Sequence, residues 1–390
     1  MNKGLYAVMG SVVISAAGIG LTMPIVPQLM RDVGHTAELG WRFGAFTGLY
    51  ALMQFIFSPI LGALSDRIGR RPVLLMSLAG SMIDYVLLAL APSLSLLFLG
   101  RAIAGITGAS LAVASAYIAD VTPENQRSRR FGQLNACFGV GFIIGPVIGG
   151  LLGEYWVRAP FLAAAALDAL NLVVAFFVMR ESRTPQAVPV PLNPLAPLRW
   201  ALSFPALLPL MVVYFVLALV GEVAGTVWVM YGEDKFAWSS LTIGISLAGF
   251  GVFHAVAQAF VAGPLSERYG ERRTLLIGIT ADALAYAAIA WATEGWIAFL
   301  LLPVFCVGGI GAPVLQSLMS AGTDSEQQGR LQGVLASIAS LATIIGPVGI
   351  STLYFMSRAT FPGAVWLGGA ALYVFSMPFL LGRVRRPVRA

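Results

Sequence analysis

A chain of 390 residues in which 58% are apolar and only 11% charged is not built for water, since soluble domains carry about 25% charged residues. The mean hydropathy of +0.83 agrees. The net charge of +6 does not indicate nucleic acid, because the basic residues fall in short clusters between apolar runs, the pattern that encodes membrane topology.

A membrane-crossing helix needs about 20 apolar residues. In chain order such runs occur at 5–29, 43–63, 73–91, 95–118, 131–153 and 160–179, then at 206–229, 239–262, 274–292, 296–319, 330–355 and 363–382. The first run lacks a small-residue cleavage site and reads as a retained helix rather than a signal peptide. Residues 181–205 contain Pro185, Pro189, Pro191, Pro194, Pro197 and Pro205. Proline cannot continue a helix and stiffens an extended chain, so this stretch reads as a linker between halves at 1–180 and 206–390. The expected fold is an all-α membrane protein with twelve transmembrane helices in two six-helix bundles. Twelve crossings return both termini to one side. Of the 24 Lys and Arg, 18 fall on that side, five on the other and Arg101 within a span. That asymmetry puts the termini in the cytoplasm.

The halves are copies of one unit. Gly62–Pro72 (Gly-Ala-Leu-Ser-Asp-Arg-Ile-Gly-Arg-Arg-Pro) recurs 201 residues later as Gly263–Arg273 (Gly-Pro-Leu-Ser-Glu-Arg-Tyr-Gly-Glu-Arg-Arg). The same offset pairs Thr122 with Thr323, Arg129 with Arg330, Gly132 with Gly333, and Gly145-Pro146-Val147 with Gly346-Pro347-Val348. Agreement over several separated stretches marks a duplication, and parallel duplication of a hydrophobic half is a transporter architecture.

Few ionisable side chains lie within the spans: Asp84, Arg101, Asp168, Glu222, His254 and Asp282. Each is costly in lipid and is expected to face the bundle interior or a water-filled cavity. Asp84 lies about 18 Å along its helix from Pro72, near the midplane. Asp282 stands at nearly the same level in the second half, because its counterpart is position 81. Carboxylates in such surroundings bind protons readily, and each also reads as a buried hydrogen-bonding strut. Arg101 reads as a snorkelling residue, a partner for Asp84 or a partner for an anionic substrate group. His254 reads as a proton relay or a helix contact. The glycine run Gly141–Gly150, with Gly145 and Pro146, and the glycines at 105, 108, 308, 309 and 311 allow close packing and bending. Cys137 and Cys306 read as small core residues. There is no His-Glu-x-x-His or other metalloenzyme spacing and no stretch long enough for a soluble catalytic domain, so an enzyme is not expected. A sensor would be expected to carry an added soluble domain.

These residues carry a family resemblance. Gly62–Pro72 resembles the loop between helices two and three of the major facilitator superfamily. Leu99–Gly105 resembles its basic helix-four motif, and Gly141–Gly150 the motif of its drug antiporters. Gly18–Pro24, Leu49–Gln54, Asp84-Tyr85, Gly105–Ala109, Ile118–Asp120, Ala136–Gly139, Val227–Val229, Gly244–Ala248 and Ala281-Asp282 are similar to stretches of the bacterial tetracycline/proton antiporters. The resemblance implies proton-coupled efflux of a tetracycline-type drug, as a divalent-metal chelate, by alternating access across the inner membrane, giving antibiotic resistance. The alternatives are export of another amphipathic drug such as a phenicol, or broader multidrug export. It implies no permanently bound cofactor and no resident metal, only the proton gradient and Mg2+ carried with the substrate. The expected partners are the small-molecule drug and the lipid bilayer, with no nucleic acid, for a protein acting as a monomer.

Asp66, Arg70, Asp84, Arg101, His254, Gln258 and Asp282 fall on positions important in that family, and the expected proton-coupling residues are Asp84, Asp282, Glu222 and Arg101. Ser15, Gln54, Asp84, Glu222, His254, Gln258 and Asp282 would meet substrate. Asp66, Arg67, Arg70, Arg71, Arg129, Gly145, Pro146, Glu267 and Arg268 would gate, with Asp66 as a latch. The family usually has an aspartate in helix one where this chain has Ser15. A hydroxyl holds no charge, so Glu222 is expected to substitute for it. Asp168, on a span that is more often peripheral, is expected to matter little.

Overall fold

The computed structural model describes residues 3–182, 208–321 and 328–381, and every regular element among them is a helix. The linker expected at 181–205 falls outside the described residues, apart from Glu181 and Ser182.

In chain order the helices are α1 (Lys3–Thr22), α2 (Val26–Gly34), α3 (Trp41–Ile68), α4 (Arg70–Leu90), α5 (Leu94–Thr107), α6 (Ser110–Val121), α7 (Glu124–Tyr155) and α8 (Ala159–Val178). After the linker come α9 (Leu208–Phe236), α10 (Ser240–Phe260), α11 (Ala262–Tyr269), α12 (Glu271–Trp291), α13 (Gly295–Gly308), α14 (Gly311–Ala321), α15 (Gln328–Ser357) and α16 (Ala364–Leu381). Among the described residues eleven spans are long and apolar enough to cross a membrane, with the α5–α6, α10–α11 and α13–α14 pairs each making one, and α16 supplies a shorter apolar helix.

The departures from the expected runs have local causes. The first run was expected to continue to 29, but α1 ends at Thr22. Pro24 lacks an N–H and disfavours helix at Met23, and Thr22 Oγ1 turns back to Ile19 O at 3.0 Å. From composition the fourth and tenth runs each read as a single helix. Each is instead broken at a glycine, between α5 and α6 at Gly108 and between α13 and α14 at Gly309. At the other ends, α7 begins at Glu124 rather than 131, and α9 continues to Phe236 rather than 229. Those extra turns are polar, and a count of apolar residues does not register them.

The chain forms two compact units. One holds α1, α2, α3 from Leu49 onward, α4 to α8, and Trp238–Gly251; the other holds Gly40–Gly48, α9, the remainder of α10, and α11 to α16. The duplication persists in three dimensions. In the first unit α1 packs on α7 and α8, and α4 on α5 and α8. In the second α9 packs on α15 and α16, and α12 on α13 and α16. Glycine permits the closest of these approaches: a Cβ on Gly145 would come within 2.8 Å of Gly20 Cα on α1.

The two cores differ in kind. The first unit's is aliphatic, with Val8, Val73, Leu74, Ala114 and Ile118 at 1% exposure or less, closed by Tyr117. The second is aromatic: Trp366 is ringed by Trp228, Tyr231, Tyr286 and Phe305 at centroid separations of 5.2–6.1 Å, mostly edge-to-face, the arrangement ring quadrupoles favour. The outer surface is apolar, with Phe177, Leu284 and Met356 exposed, as lipid contact requires.

Candidate functional site

The first unit carries an open cleft of about 540 Å³. Its polar lining is Ser15 from α1, Tyr50, Gln54 and Ser58 from α3, and Ser110 and Ser115 from α6; Ile19, Leu111 and Phe138 are among the apolar walls. These side chains supply hydroxyls and one amide, and none carries a charge. Gln54 is held there by the break in the fourth span. Its Nε2 donates to Gly108 O at 2.8 Å and to Tyr50 Oη at 3.2 Å, so the carbonyl released by the break regains a donor. The second unit repeats the device, with Gln258 Nε2 donating to Gly309 O at 3.3 Å.

Behind Tyr50 lies an ion pair. The Arg101 guanidinium stands 5.7 Å from the Tyr50 ring centre, and its Nε donates to Asp84 Oδ1 at 3.3 Å while its NH2 pairs with Oδ2. Asp84 is 1% exposed and does not line the cavity. Gly100 makes room for it: a Cβ there would stand 2.6 Å from Asp84 Oδ1. Of the readings open for Arg101, partnership with Asp84 is the one the geometry takes.

In the second unit Asp282 accepts a hydrogen bond from Tyr373 Oη at 2.5 Å. Glu222 accepts from Thr343 Oγ1 at 2.8 Å and is partly exposed. His254 lies on α10 against Gly309, one turn from Gln258. Asp84 thus meets a cation, while Asp282 and Glu222 meet hydroxyls.

The α3–α4 turn carries the repeated motif. Gly69 has φ +105° and Gly270, its copy, φ +80°, a region that favours glycine. Asp66 pairs with Arg70 NH2 at 2.7 Å, while Arg70 Nε reaches Asp120 at 3.0 Å and its NH1 donates to Ser65 Oγ at 2.6 Å. Glu181 accepts the backbone N–H groups of Arg70 and Arg71 at 2.7 and 3.1 Å, an anion at the orphan donors of a helix N-terminus. Arg71 donates to Phe176 O at 2.5 Å. Arg67, Arg129, Glu267 and Arg268 are exposed, and Arg268 stacks on Tyr269 at 5.5 Å. Pro146 packs its Cδ toward Gly20.

Sequence reading missed Tyr50, Asp120, Glu181, Thr343 and Tyr373 as site partners. Tyr50 lies within the Leu49–Gln54 stretch and Asp120 within Ile118–Asp120. Glu181, more than a hundred residues from Arg70 along the chain, gave no signal.

A family model described as Major Facilitator Superfamily matches residues 8–224 and 210–390. The chain is 49% identical to the tetracycline resistance protein, class C, of Escherichia coli over 97% of its own length and 96% of that protein's. It is 26% identical to the quinolone resistance protein NorA of Staphylococcus aureus (strain COL) over 91% of this chain and 90% of that one. Among solved structures, the nucleoside transporter NupG superposes with a TM-score of 0.80 over 98% of this chain and 99% of that one, at 16% identity.

Proposed function

Because the chain belongs to the Major Facilitator Superfamily and is a multi-pass membrane protein, we propose that it exports a tetracycline-type drug in exchange for protons. On this reading the drug leaves as a divalent-metal chelate by alternating access, across the bacterial cytoplasmic membrane, with both termini in the cytoplasm. The observation that carries it is the likeness to the tetracycline resistance protein over nearly the full length of both chains.

The geometry supports it. The cavity offers hydroxyls and an amide at Ser15, Tyr50, Gln54 and Ser58, suited to the oxygen-rich face of such a drug. Asp84 with Arg101, Asp282 with Tyr373, and Glu222 with Thr343 are acids beneath or within membrane-spanning helices, where a proton can be bound and released. Mg2+ would travel as cargo and the monomer would suffice. Purified protein in liposomes tests the reading: an imposed pH gradient drives uptake of tetracycline with Mg2+. Uptake that ignores the gradient would refute proton exchange.

A second reading, export of a neutral amphipathic drug such as a phenicol, is favoured by the uncharged cavity lining. Growth of a sensitive strain expressing the chain against both drugs separates the two.

A further inference from the structure

Helix α8 presents two polar side chains, Asp168 and Asn171, in an otherwise apolar sequence. Three residues apart, they share one helix face. Both turn inward, at 1% and 2% exposure, while Leu170, Val173 and Phe177 face outward. Asn171 Nδ2 donates to Ser11 O on α1 at 3.2 Å, so it ties two helices together. Asp168 ties nothing: neither carboxylate oxygen has a hydrogen-bond partner among the described residues. A strut would brace something.

The duplication gives a second test of a packing role. The 201-residue offset sets Asp168 opposite Gly369 on α16 and Tyr85 opposite Tyr286. Gly369 lies against the Tyr286 ring, where even a Cβ would come within 2.7 Å, and Asp168 lies close enough to Tyr85 to act on it electrostatically. The same architecture therefore closes in the second unit with no side chain at this place, and the carboxylate is not a requirement of the fold.

The ionisable groups around Asp168 are few. From α4 it is Tyr85, whose phenol also lies against Gly18 of α1; Asp84 is turned toward α5 and paired with Arg101. From α1, Ser11–Gly18 contains no ionisable residue, and neither does Phe138–Leu152 of α7. An ionised carboxylate here would have no counter-charge and no donor, a state costing several kcal/mol in an apolar medium.

We propose that Asp168 is a proton-binding site of the transport cycle, separate from the Asp84–Arg101 pair. The step is a simple protonation: one proton adds to a carboxylate oxygen from one side of the membrane and leaves to water on the other, and no other bond changes. A proton shifts a conformational equilibrium only if it binds the two states differently. Asp168 meets that condition on the proposal that this arrangement, which seals it from water, alternates with one in which the Asn171–Ser11 hydrogen bond is broken and α8 parts from α1. The direction of transport rests on the antiport reading above; the proton site does not.

Infrared spectroscopy of the reconstituted protein tests the site without any drug. The difference between the wild-type and Asp168→Asn spectra is expected to hold one protonated-carboxyl component that titrates with pH, set apart from those of the other acids; a carboxyl region identical in both overturns the proposal. In liposomes Asp168→Asn, a neutral isostere, is expected to keep drug–drug counterflow within about 3-fold and to lose at least about 10-fold of pH-driven accumulation. Wild-type accumulation in that variant overturns it. If counterflow is lost too, Asp168→Glu decides: restored pH-driven uptake supports proton binding, and none overturns it. A wild type that ignores the gradient while showing the infrared band refutes antiport and leaves the proton site standing.

Discussion

Replacing Arg101 by leucine would leave the Asp84 carboxylate, at 1% exposure, without its cation. Removing one member of a buried pair costs about 3–5 kcal/mol, because the remaining charge stays out of water. The Arg101 side chain is itself 17% exposed, so some solvent reaches the pair and the lower end, about 3 kcal/mol, is expected. That is roughly a hundredfold in the folding equilibrium. Asp84→Asn on the same background removes the stranded charge, and more than half of the loss should return. Both variants can be followed by denaturant unfolding in detergent, using the fluorescence of the eight tryptophans. A single variant within about 0.5 kcal/mol of wild type, or a double variant no more stable than the single, would refute the pairing argument.

Gly100→Ala puts a methyl group 2.6 Å from Asp84 Oδ1, and a loss of about 1–3 kcal/mol in the same unfolding assay is expected. Tyr373→Phe deletes the donor to Asp282 and should cost about 1–3 kcal/mol, measured the same way. Asp282→Asn should abolish pH-driven drug uptake in liposomes, because an amide does not titrate; uptake that survives assigns the proton to another acid. Glu222→Gln should cut efflux at least about 10-fold, read as lost drug resistance in growth assays, with partial rescue by Ser15→Asp. Wild-type resistance in Glu222→Gln would return Glu222 to a structural role beside Thr343.

Span positions were legible in the sequence because lipid imposes a one-dimensional rule: every spanning backbone must satisfy itself, so runs of apolar residues become helices. The breaks at Gly108 and Gly309 were only half legible. Glycine marked both places, but whether a helix bends or snaps there depends on a donor such as Gln54 or Gln258 arriving from another helix. Asp168 shows the same limit. Its span looked peripheral, and only packing reveals that its face turns inward while its lipid face carries Phe177.

The amino-acid sequence by itself determined the all-helical membrane fold, the duplication at an offset of 201 and the short roster of intramembrane ionisable groups. Each of these follows from local composition or from comparing the chain with itself. Tertiary structure decided which partner each of those groups received: Arg101 for Asp84, Tyr373 for Asp282, Thr343 for Glu222 and none among the described residues for the Asp168 oxygens. Partners lie on different helices, 17 to 121 residues away along the chain. Side-chain charge and hydrogen bonding act over a few ångströms of space, and helix packing alone sets which residues fall within that reach.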